Sequence, residues 1–426
     1  MKTSTNQDII PFTVPGLTDE QKEQLQEKLA NIVYPNELES DVGWDYGAPT
    51  WAVKSMADIW RQEYDFDTAR QEINQWHHYH TKIEDLNIHF IHEPSSHPDA
   101  LPILLCHGWP STFYEFHKVI NALRDGENGK QAFHVVVPSL PGYGFSDPPK
   151  TPGCGVVKMS DMLNTLMIKL GYSKYLFSGT DYGAIIGKYT ATNHSENCCG
   201  FHTNFPMVLP PIPTPRNLLF HPLNVFKFFG SLVTGFNWMY GQGKTILNWA
   251  TFANAELYYG CGYRAIQGTR PYTLSYGLSD SPLGLMAWML EKYHEWTFHE
   301  DESISKKVSL PPTITADEFL TQVTLYWMTN TMSSSIRIYY ECLHQHEMFK
   351  TVIPRINVPT AISNFNHDVI KLPKEWLETS TNLQHYKEYT KGGHFPGLEV
   401  DKLLIKDIQD FGGKLNRQHK RIFAKL

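Results

Sequence analysis

An aspartate at the centre of a strand-to-helix turn is the most informative chemical feature of the sequence. The segment LFSGTDYGAIIG, residues 176–187, places Asp181 between Gly179 and Gly183, directly after an apolar run. In a turn of this form the central side chain points out from the top of a sheet, and the glycines leave room for close backbone approach. The turn predicts a nucleophile at Asp181, although a helix-capping role for the same carboxylate is also consistent with the sequence.

Two later segments offer partners for this carboxylate. Asp368 follows the apolar run in PTAISNFNHD, and His394 lies in the segment TKGGHFPGLE. The order nucleophile, acid, histidine is that of the α/β-hydrolase arrangement. We therefore expect Asp368 to orient His394, and His394 to act as a base.

The loop HGWP, residues 107–110, follows another apolar run. It is predicted to direct the backbone N–H of Trp109 toward an oxyanion, with the N–H of Tyr182 as the second donor. His107 is expected to brace the loop rather than to take part in the chemistry.

A carboxylate nucleophile indicates the kind of electrophile. Serine attacking an sp3 carbon would form an ether that the enzyme could not hydrolyse, whereas aspartate forms an ester that a histidine-activated water cleaves. Epoxides and alkyl halides are the two obvious substrate classes. A halide is commonly held by an indole next to the aspartate, where this chain has Tyr182, whereas an epoxide oxygen suits a pair of tyrosine donors. Composition alone does not identify which tyrosines are the donors. The candidates in the downstream aromatic region are Tyr258, Tyr259, Tyr263, Tyr272, Tyr276, Tyr339 and Tyr340.

The patterning predicts the elements that must position these residues. Residues 1–85 are predicted to be a helical and loop-rich extension that packs on the core. In residues 86–205 short apolar runs alternate with helical segments, which is typical of a mostly parallel sheet with helices on both faces. Residues 206–345 are aromatic and helical and are predicted to form a lid over the carboxyl edge of the sheet. Residues 346–426 complete the core.

Composition and charge argue against several other classes. The net charge of −7, without a basic stripe, gives no reason to expect nucleic-acid binding. Neither a secretory leader nor a stable membrane anchor is expected, because no apolar run reaches about 18 residues. The cluster WHHYH, residues 76–80, lacks carboxylate or cysteine partners, so it is interpreted as a solvated helix end rather than a metal site.

The cysteines and the C-terminus bear on location. Six cysteines without a C-x-x-C pair favour a reducing compartment. The ending Ala-Lys-Leu is similar to a peroxisomal address, so the expected location is the cytoplasm or the peroxisome.

Taken together, the motifs resemble the microsomal-type epoxide hydrolases of the α/β-hydrolase fold, in the branch that includes soluble fungal members. The resemblance covers most of the chain. The motifs that carry it occur in this order: GWDYG, LNIHFIHE, HGWPSTFYEF, PSLPGYGFSDPP, SDSPLGLMAWMLEKYHEW, LYWMTNT and KGGHFPGLE.

The resemblance implies a role for each matching residue. Asp181 would be the nucleophile, Asp368 the charge-relay acid and His394 the base. Tyr263 and Tyr339 would donate to the epoxide oxygen, with a one-residue ambiguity between Tyr339 and Tyr340. The expected oxyanion donors are the backbone amides of Trp109 and Tyr182, and the residues expected to contact substrate are Trp109, Tyr182 and Phe395.

This chain departs from the family pattern at its nucleophile turn. Tyr182 stands where the family often has tryptophan, and Thr180 gives Gly-Thr-Asp where Gly-Gly-Asp is common. All named roles nevertheless remain filled.

The expected activity is the hydrolysis of a lipophilic epoxide to a vicinal diol through a covalent aspartyl ester, with water and the epoxide as the only partners of the reaction. No metal or organic cofactor is expected, and a homodimer is left open. The alternatives are a haloalkane dehalogenase and a biosynthetic cyclase that opens an epoxide intramolecularly with the same residues.

Overall fold

A nine-stranded mixed sheet forms the centre of the molecule. The computed structural model describes residues 8–126, 129–241, 262–301 and 305–418. The sheet order is β1-β2-β3-β5-β4-β6-β7-β8-β9. The first three pairings, from β1 to β5, are antiparallel, and the five from β5 to β9 are parallel, so the sheet is mostly parallel as predicted. The strands are β1 (Ile9–Phe12), β2 (His78–Ile83), β3 (Leu86–Glu93), β4 (Leu101–Cys106), β5 (Phe133–Pro138), β6 (Tyr175–Gly179), β7 (Cys198–Thr203), β8 (Pro359–Phe365) and β9 (Asn382–Tyr389).

Helices cover both faces of this sheet. Neighbouring residues of a strand point to opposite faces, and Ile103 and Leu104 of β4 accordingly belong to different hydrophobic clusters. The helices, excluding a short 3-10 turn at Phe113–Phe116, are α1 (Asp19–Ala30), α2 (Thr50–Gln62), α3 (Phe66–Ile73), α4 (Ile120–Asp125), α5 (Val156–Lys169), α6 (Asp181–Asn193), α7 (Pro215–Phe220), α8 (Pro222–Thr234), α9 (Phe236–Tyr240), α10 (Gly262–Thr269), α11 (Pro271–Asp280), α12 (Pro282–Glu295), α13 (Ala316–Thr329), α14 (Met332–Ser335), α15 (Arg337–His344), α16 (Glu347–Val352), α17 (Lys374–Ser380), α18 (Pro396–Glu399) and α19 (Asp401–Gln418). Helices α5 and α6 pack in one cluster and α4 and α19 in the other.

The N-terminal segment contains the predicted helices but also contributes two strands. The spacing of Thr18 and Gln21 predicts a capping box, and both of its hydrogen bonds are present at the start of α1. Strands β1 and β2 extend the sheet by antiparallel pairing onto β3. The N-terminal segment is therefore partly built into the sheet.

The interpretation of WHHYH as a solvated helix end is wrong. From His78 onward the segment forms β2, because strands on both sides supply partners for its backbone. His78 is buried, with Nε2 2.8 Å from the carbonyl of Ile73 and Nδ1 3.0 Å from Nε2 of His89. Hydrogen bonds offset the cost of removing this imidazole from water.

The described residues between β7 and β8 contain helices and no strand, as the aromatic, helical pattern predicts. We call α7–α15 the insertion helices. Helix α13 rests on the loop after β4, where the hydroxyl of Tyr326 donates to the carbonyl of Ser111 at 2.8 Å. Among the described residues no helix is long and apolar enough to cross a membrane.

Candidate active site

The carboxyl ends of the parallel strands meet at one edge of the sheet, and polar residues follow each of them. The residues that follow β4, β6, β7, β8 and β9 at this edge are, in that order, Trp109, Asp181, Asn204, Asp368 and His394. Side chains far apart in the chain are thereby brought together.

The turn at Asp181 has the strained geometry expected of a nucleophile elbow. Asp181 has a φ of 47°, in the left-handed region that non-glycine residues seldom adopt. Gly183 must be a glycine, because a Cβ there would lie 2.1 Å from the carbonyl oxygen of Cys106. Gly179 is equally confined, since its Cβ would lie 2.2 Å from the carbonyl oxygen of Gly183. The prediction that these two glycines permit close backbone approach is confirmed.

The carboxylate of Asp181 faces the site rather than capping α6. Its Oδ1 accepts a hydrogen bond from the backbone N–H of Trp109 at 2.8 Å, and its Oδ2 lies 3.2 Å from Nε2 of His394. The side chain is 13% exposed, which leaves an approach for a small molecule.

His394 lies between two carboxylates. Its Nδ1 is 2.7 Å from Oδ1 of Asp368, and both side chains are fully buried. Burial alone would lower the pKa of His394, but Asp368 and Asp181 together outweigh it and raise this pKa to about 10. Burial raises the pKa of Asp368, while His394 and Asn204 act in the opposite direction.

Gly108 allows the expected oxyanion donors to approach Asp181. A Cβ on Gly108 would lie 2.2 Å from Oδ1 of Asp181 and 2.6 Å from the backbone nitrogen of Tyr182. His107 behaves as a brace: its Nε2 accepts from the amide of Leu140 at 3.3 Å, and burial lowers its pKa to about 4, so the ring is neutral.

Two of the candidate tyrosines reach the site. The ring centroid of Trp109 lies 5.6 Å from that of Tyr263 and 5.7 Å from that of Tyr339, and the two tyrosine centroids are 5.8 Å apart. The Tyr339 hydroxyl is buried and has no hydrogen-bond partner among the described residues. Burial holds the pKa of Tyr339 well above its ordinary value, so the phenol keeps its proton.

The other candidate tyrosines lie elsewhere. Tyr340 stacks on His344 at 3.8 Å, which separates it from its buried neighbour Tyr339. Tyr272 and Tyr276 are 64% and 82% exposed. Tyr258 and Tyr259 lie outside the described residues, as does the Ala-Lys-Leu ending.

The side chains expected to contact substrate have different surroundings. Trp109 is fully buried, and Tyr182 packs edge-on against Tyr339 with 4.7 Å between centroids. Phe395 is buried and stacks on Tyr293, with 4.2 Å between the ring centroids.

Sequence reasoning missed three buried side chains beside the candidate triad. Asn204 donates through Nδ2 to Oδ2 of Asp368 at 2.8 Å. Glu115 accepts from the Thr180 hydroxyl at 3.3 Å, and burial raises its pKa to about 7. Glu399 is the third of these side chains. The signal that could have identified Asn204 is its position directly after β7. It was missed because β7 itself was not predicted.

Glu399 joins the histidine loop to the insertion. Its carboxylate accepts from the amide of Phe395 at 3.0 Å and from the amide of Phe298 at 2.8 Å. The amide of His394 itself donates to the carbonyl of Trp296 at 2.7 Å. Burial raises the pKa of Glu399 to about 7.

Among the described residues, no group of three or more histidine, cysteine, aspartate or glutamate side chains is arranged to hold a metal ion.

Comparison with known proteins gives two family matches. Residues 9–116 match the epoxide hydrolase N terminus, and residues 102–237 match the alpha/beta hydrolase fold. Epoxide hydrolase 1 from Sus scrofa is 34% identical over 97% of this chain and 90% of its own length. The chain belongs to the epoxide hydrolase family.

Other relatives support this assignment over most of the chain. A putative epoxide hydrolase from Stigmatella aurantiaca is 33% identical over 94% of this chain and 84% of its own length. The crystal structure of juvenile hormone epoxide hydrolase from Bombyx mori aligns with a TM-score of 0.82 at 28% identity, covering 97% of this chain and 96% of the other. Aspergillus niger epoxide hydrolase aligns with a TM-score of 0.78 at 28% identity, covering 96% and 97%. This epoxide hydrolase therefore has the α/β-hydrolase fold with the family's N-terminal domain.

Proposed function

We propose that this epoxide hydrolase opens its substrate by nucleophilic attack from Asp181. Oδ2 of Asp181 forms a bond to one epoxide carbon as the carbon–oxygen bond of the ring breaks. Tyr263 or Tyr339 gives its proton to the departing oxygen, which leaves an alcohol beside an ester on Asp181. The hydroxyl of Tyr339, which is buried and has no hydrogen-bond partner among the described residues, supports this role.

Ester formation changes the state of His394. While Asp181 is ionised, the pKa of about 10 keeps the imidazole protonated near neutral pH. The ester carries no charge, so the pKa of His394 falls and its proton passes to the tyrosinate. The neutral imidazole is then a base.

The second step cleaves the ester. His394, held by Asp368, takes a proton from water, and the water oxygen adds to the carboxyl carbon of Asp181. The amides of Trp109 and Tyr182 stabilise the oxyanion. The bond between this carboxyl carbon and Oδ2 then breaks, and the departing oxygen takes the proton of the added hydroxyl. The diol leaves, and the carboxylate of Asp181 and the imidazolium of His394 are restored. The observation that carries this proposal is the position of His394 between Asp181 and Asp368.

The substrate is proposed to be a lipophilic epoxide, since aromatic rings of Trp109, Tyr182, Tyr263 and Tyr339 surround the nucleophile. The insertion helices would then serve as a lid. The residue after the nucleophile favours an epoxide over a halide, because that position holds Tyr182 and not a tryptophan.

Trapping the ester tests the mechanism. In a His394→Gln variant incubated with an epoxide that the wild type hydrolyses, mass spectrometry should find one adduct per chain on the peptide that contains Asp181. An Asp181→Ala variant should give no adduct and no diol. Wild-type diol formation by both variants would overturn the assignment. A chiral epoxide bearing an internal hydroxyl would reveal cyclisation, because a cyclic ether would replace the diol.

Peroxisomal import and a homodimer remain predictions. A fluorescent fusion with and without Ala-Lys-Leu tests the former, and sedimentation equilibrium tests the latter.

A further inference from the structure

A buried lysine lies among the aromatic rings beside the candidate acid Tyr263. Lys292 is 2% exposed, and its Nζ lies 4.8 Å from the ring centroid of Tyr263. The same Nζ lies 5.6 Å from the ring of Trp288 and 5.8 Å from that of Trp296. All three distances fall within the range of a cation–π interaction.

The two helices that carry these residues are joined at the same place. Tyr263 and Gln267 lie one turn apart on α10, and Trp288 and Lys292 lie one turn apart on α12. The indole N–H of Trp288 donates to Oε1 of Gln267 at 3.0 Å. This contact sets the register of the helices and so places the ammonium over the phenol ring.

A buried charge at this position needs a reason. Removing an ammonium from water costs free energy that a well-packed apolar side chain would not incur. Lys292 pairs directly with Glu291, whose side chain is 23% exposed and so partly in solvent, and it also interacts electrostatically with Glu295. The ring of Tyr263 therefore receives the field of a cation in a site of low polarity.

We infer that Lys292 is a positioning residue for ring opening, whose ammonium stabilises the negative charge that develops on Tyr263 as its proton moves to the epoxide oxygen. The inference rests on the proposed function. The ammonium neither donates nor accepts a proton in the reaction. It acts only in the first step, because Tyr263 carries no developing charge while water attacks the ester.

The two half-reactions separate this role from simple packing. In single-turnover experiments with styrene oxide, or with the epoxide that the wild type turns over best, mass spectrometry follows the adduct on Asp181 as it forms and decays. Lys292→Met keeps the length of the side chain and removes its charge. We expect ester formation to slow about tenfold, which is the rate change that corresponds to the energy of a desolvated cation–π interaction. The rate of ester hydrolysis should change less than about twofold. Lys292→Arg should restore most of the rate.

A second variant is expected to change the rate of ester formation in the opposite direction. Glu291→Gln removes the directly paired counter-charge from Lys292 at a partly exposed position. The cation then acts on Tyr263 with less cancellation, so ester formation should be as fast as in the wild type or faster.

The chain also offers a matched control. Lys227 on α8 pairs with Glu375 and lies 4.7 Å from the ring centroid of Tyr240, a similar cation–π contact in another cluster. Lys227→Met should leave both half-reactions unchanged.

The outcomes distinguish the inference from the proposed function. If the wild type forms no adduct on Asp181 with any hydrolysed epoxide, or hydrolyses none, the proposed function fails. If the adduct forms but Lys292→Met slows both steps equally or neither, Lys292 only packs and the inference is wrong. Slower ester formation in Glu291→Gln would also overturn the inference. This test remains available if Lys292→Met does not fold.

Discussion

Oδ2 of Asp181 lies 3.2 Å from Nε2 of His394, although the two residues are 213 positions apart in the chain. This contact couples the charge of the nucleophile to the protonation of the base. The same imidazole can therefore be a cation that pairs with the free carboxylate and a neutral base once that carboxylate is an ester.

Replacing Asp181 by asparagine should reproduce the electrostatics of the ester. Loss of a negative neighbour destabilises the imidazolium, so the pKa of His394 should fall clearly below that of the same residue in the wild type, which the two carboxylates raise. Titration of the His394 ring nitrogens by NMR measures this change. Asp161→Asn, which removes the carboxylate beside His194, should leave His394 unaffected. An unchanged His394 pKa in Asp181→Asn would contradict the coupling.

Removing the side chain of Asn204 should slow the second half-reaction. The Asn204→Ala variant deprives buried Asp368 of a charge-assisted hydrogen bond, which is worth about 1.5–3 kcal/mol. We expect the rate at which the adduct on Asp181 decays to fall at least about tenfold, while the rate of its formation changes little. Asn164→Ala, at another buried asparagine, is the control. Equal adduct lifetimes in the wild type and Asn204→Ala would show that this hydrogen bond does not matter.

Adjacent tyrosines should behave differently. Tyr339→Phe removes a hydroxyl that has no partner among the described residues, so folding should be preserved while ester formation slows by at least about tenfold. Tyr340→Phe should have no effect, because that ring stacks on His344. Pre-steady-state rates of both variants test the assignment. The opposite result would move the proton donor to Tyr340.

Glu115 should make stability depend on pH. Its pKa is about 7 in the folded chain and near 4.5 when exposed, so between these values the folded state binds more protons than the unfolded state. The free energy of unfolding therefore falls as pH rises through this window. Glu115→Gln does not titrate, so its stability relative to the wild type should rise by about 1–3 kcal/mol from pH 5 to pH 8, measured by urea unfolding.

Exposed Glu20→Gln provides the baseline for this comparison, since its carboxylate lies on the surface. A stability difference between Glu115→Gln and the wild type that is constant from pH 5 to pH 8 would mean that Glu115 is not protonated in the folded chain.

The sequence alone determined the features that depend on local geometry. The glycines around Asp181 mark a turn that only small residues permit, and the turn is present with a φ of 47° at the aspartate. The capping box at Thr18 and the alternation of strands with helices are local in the same sense. Predictions of this kind succeed because a few neighbouring residues contain the whole physical cause.

The pairing of strands across the sheet was harder to predict from the sequence. Strand β7 and the strand character of WHHYH were missed, since their apolar content is low and both depend on partners supplied by distant strands. Asn204 was missed with β7, although it completes the environment of Asp368.

Only the tertiary structure decided which side chains share one electrostatic environment. The sequence names several tyrosines, but burial separates Tyr339 from Tyr340, and the packing of α10 on α12 places Lys292 over Tyr263. Burial likewise raises the pKa of Glu115 and combines two carboxylates on His394. These effects depend on distance and desolvation in the folded chain, and no spacing along the sequence encodes them.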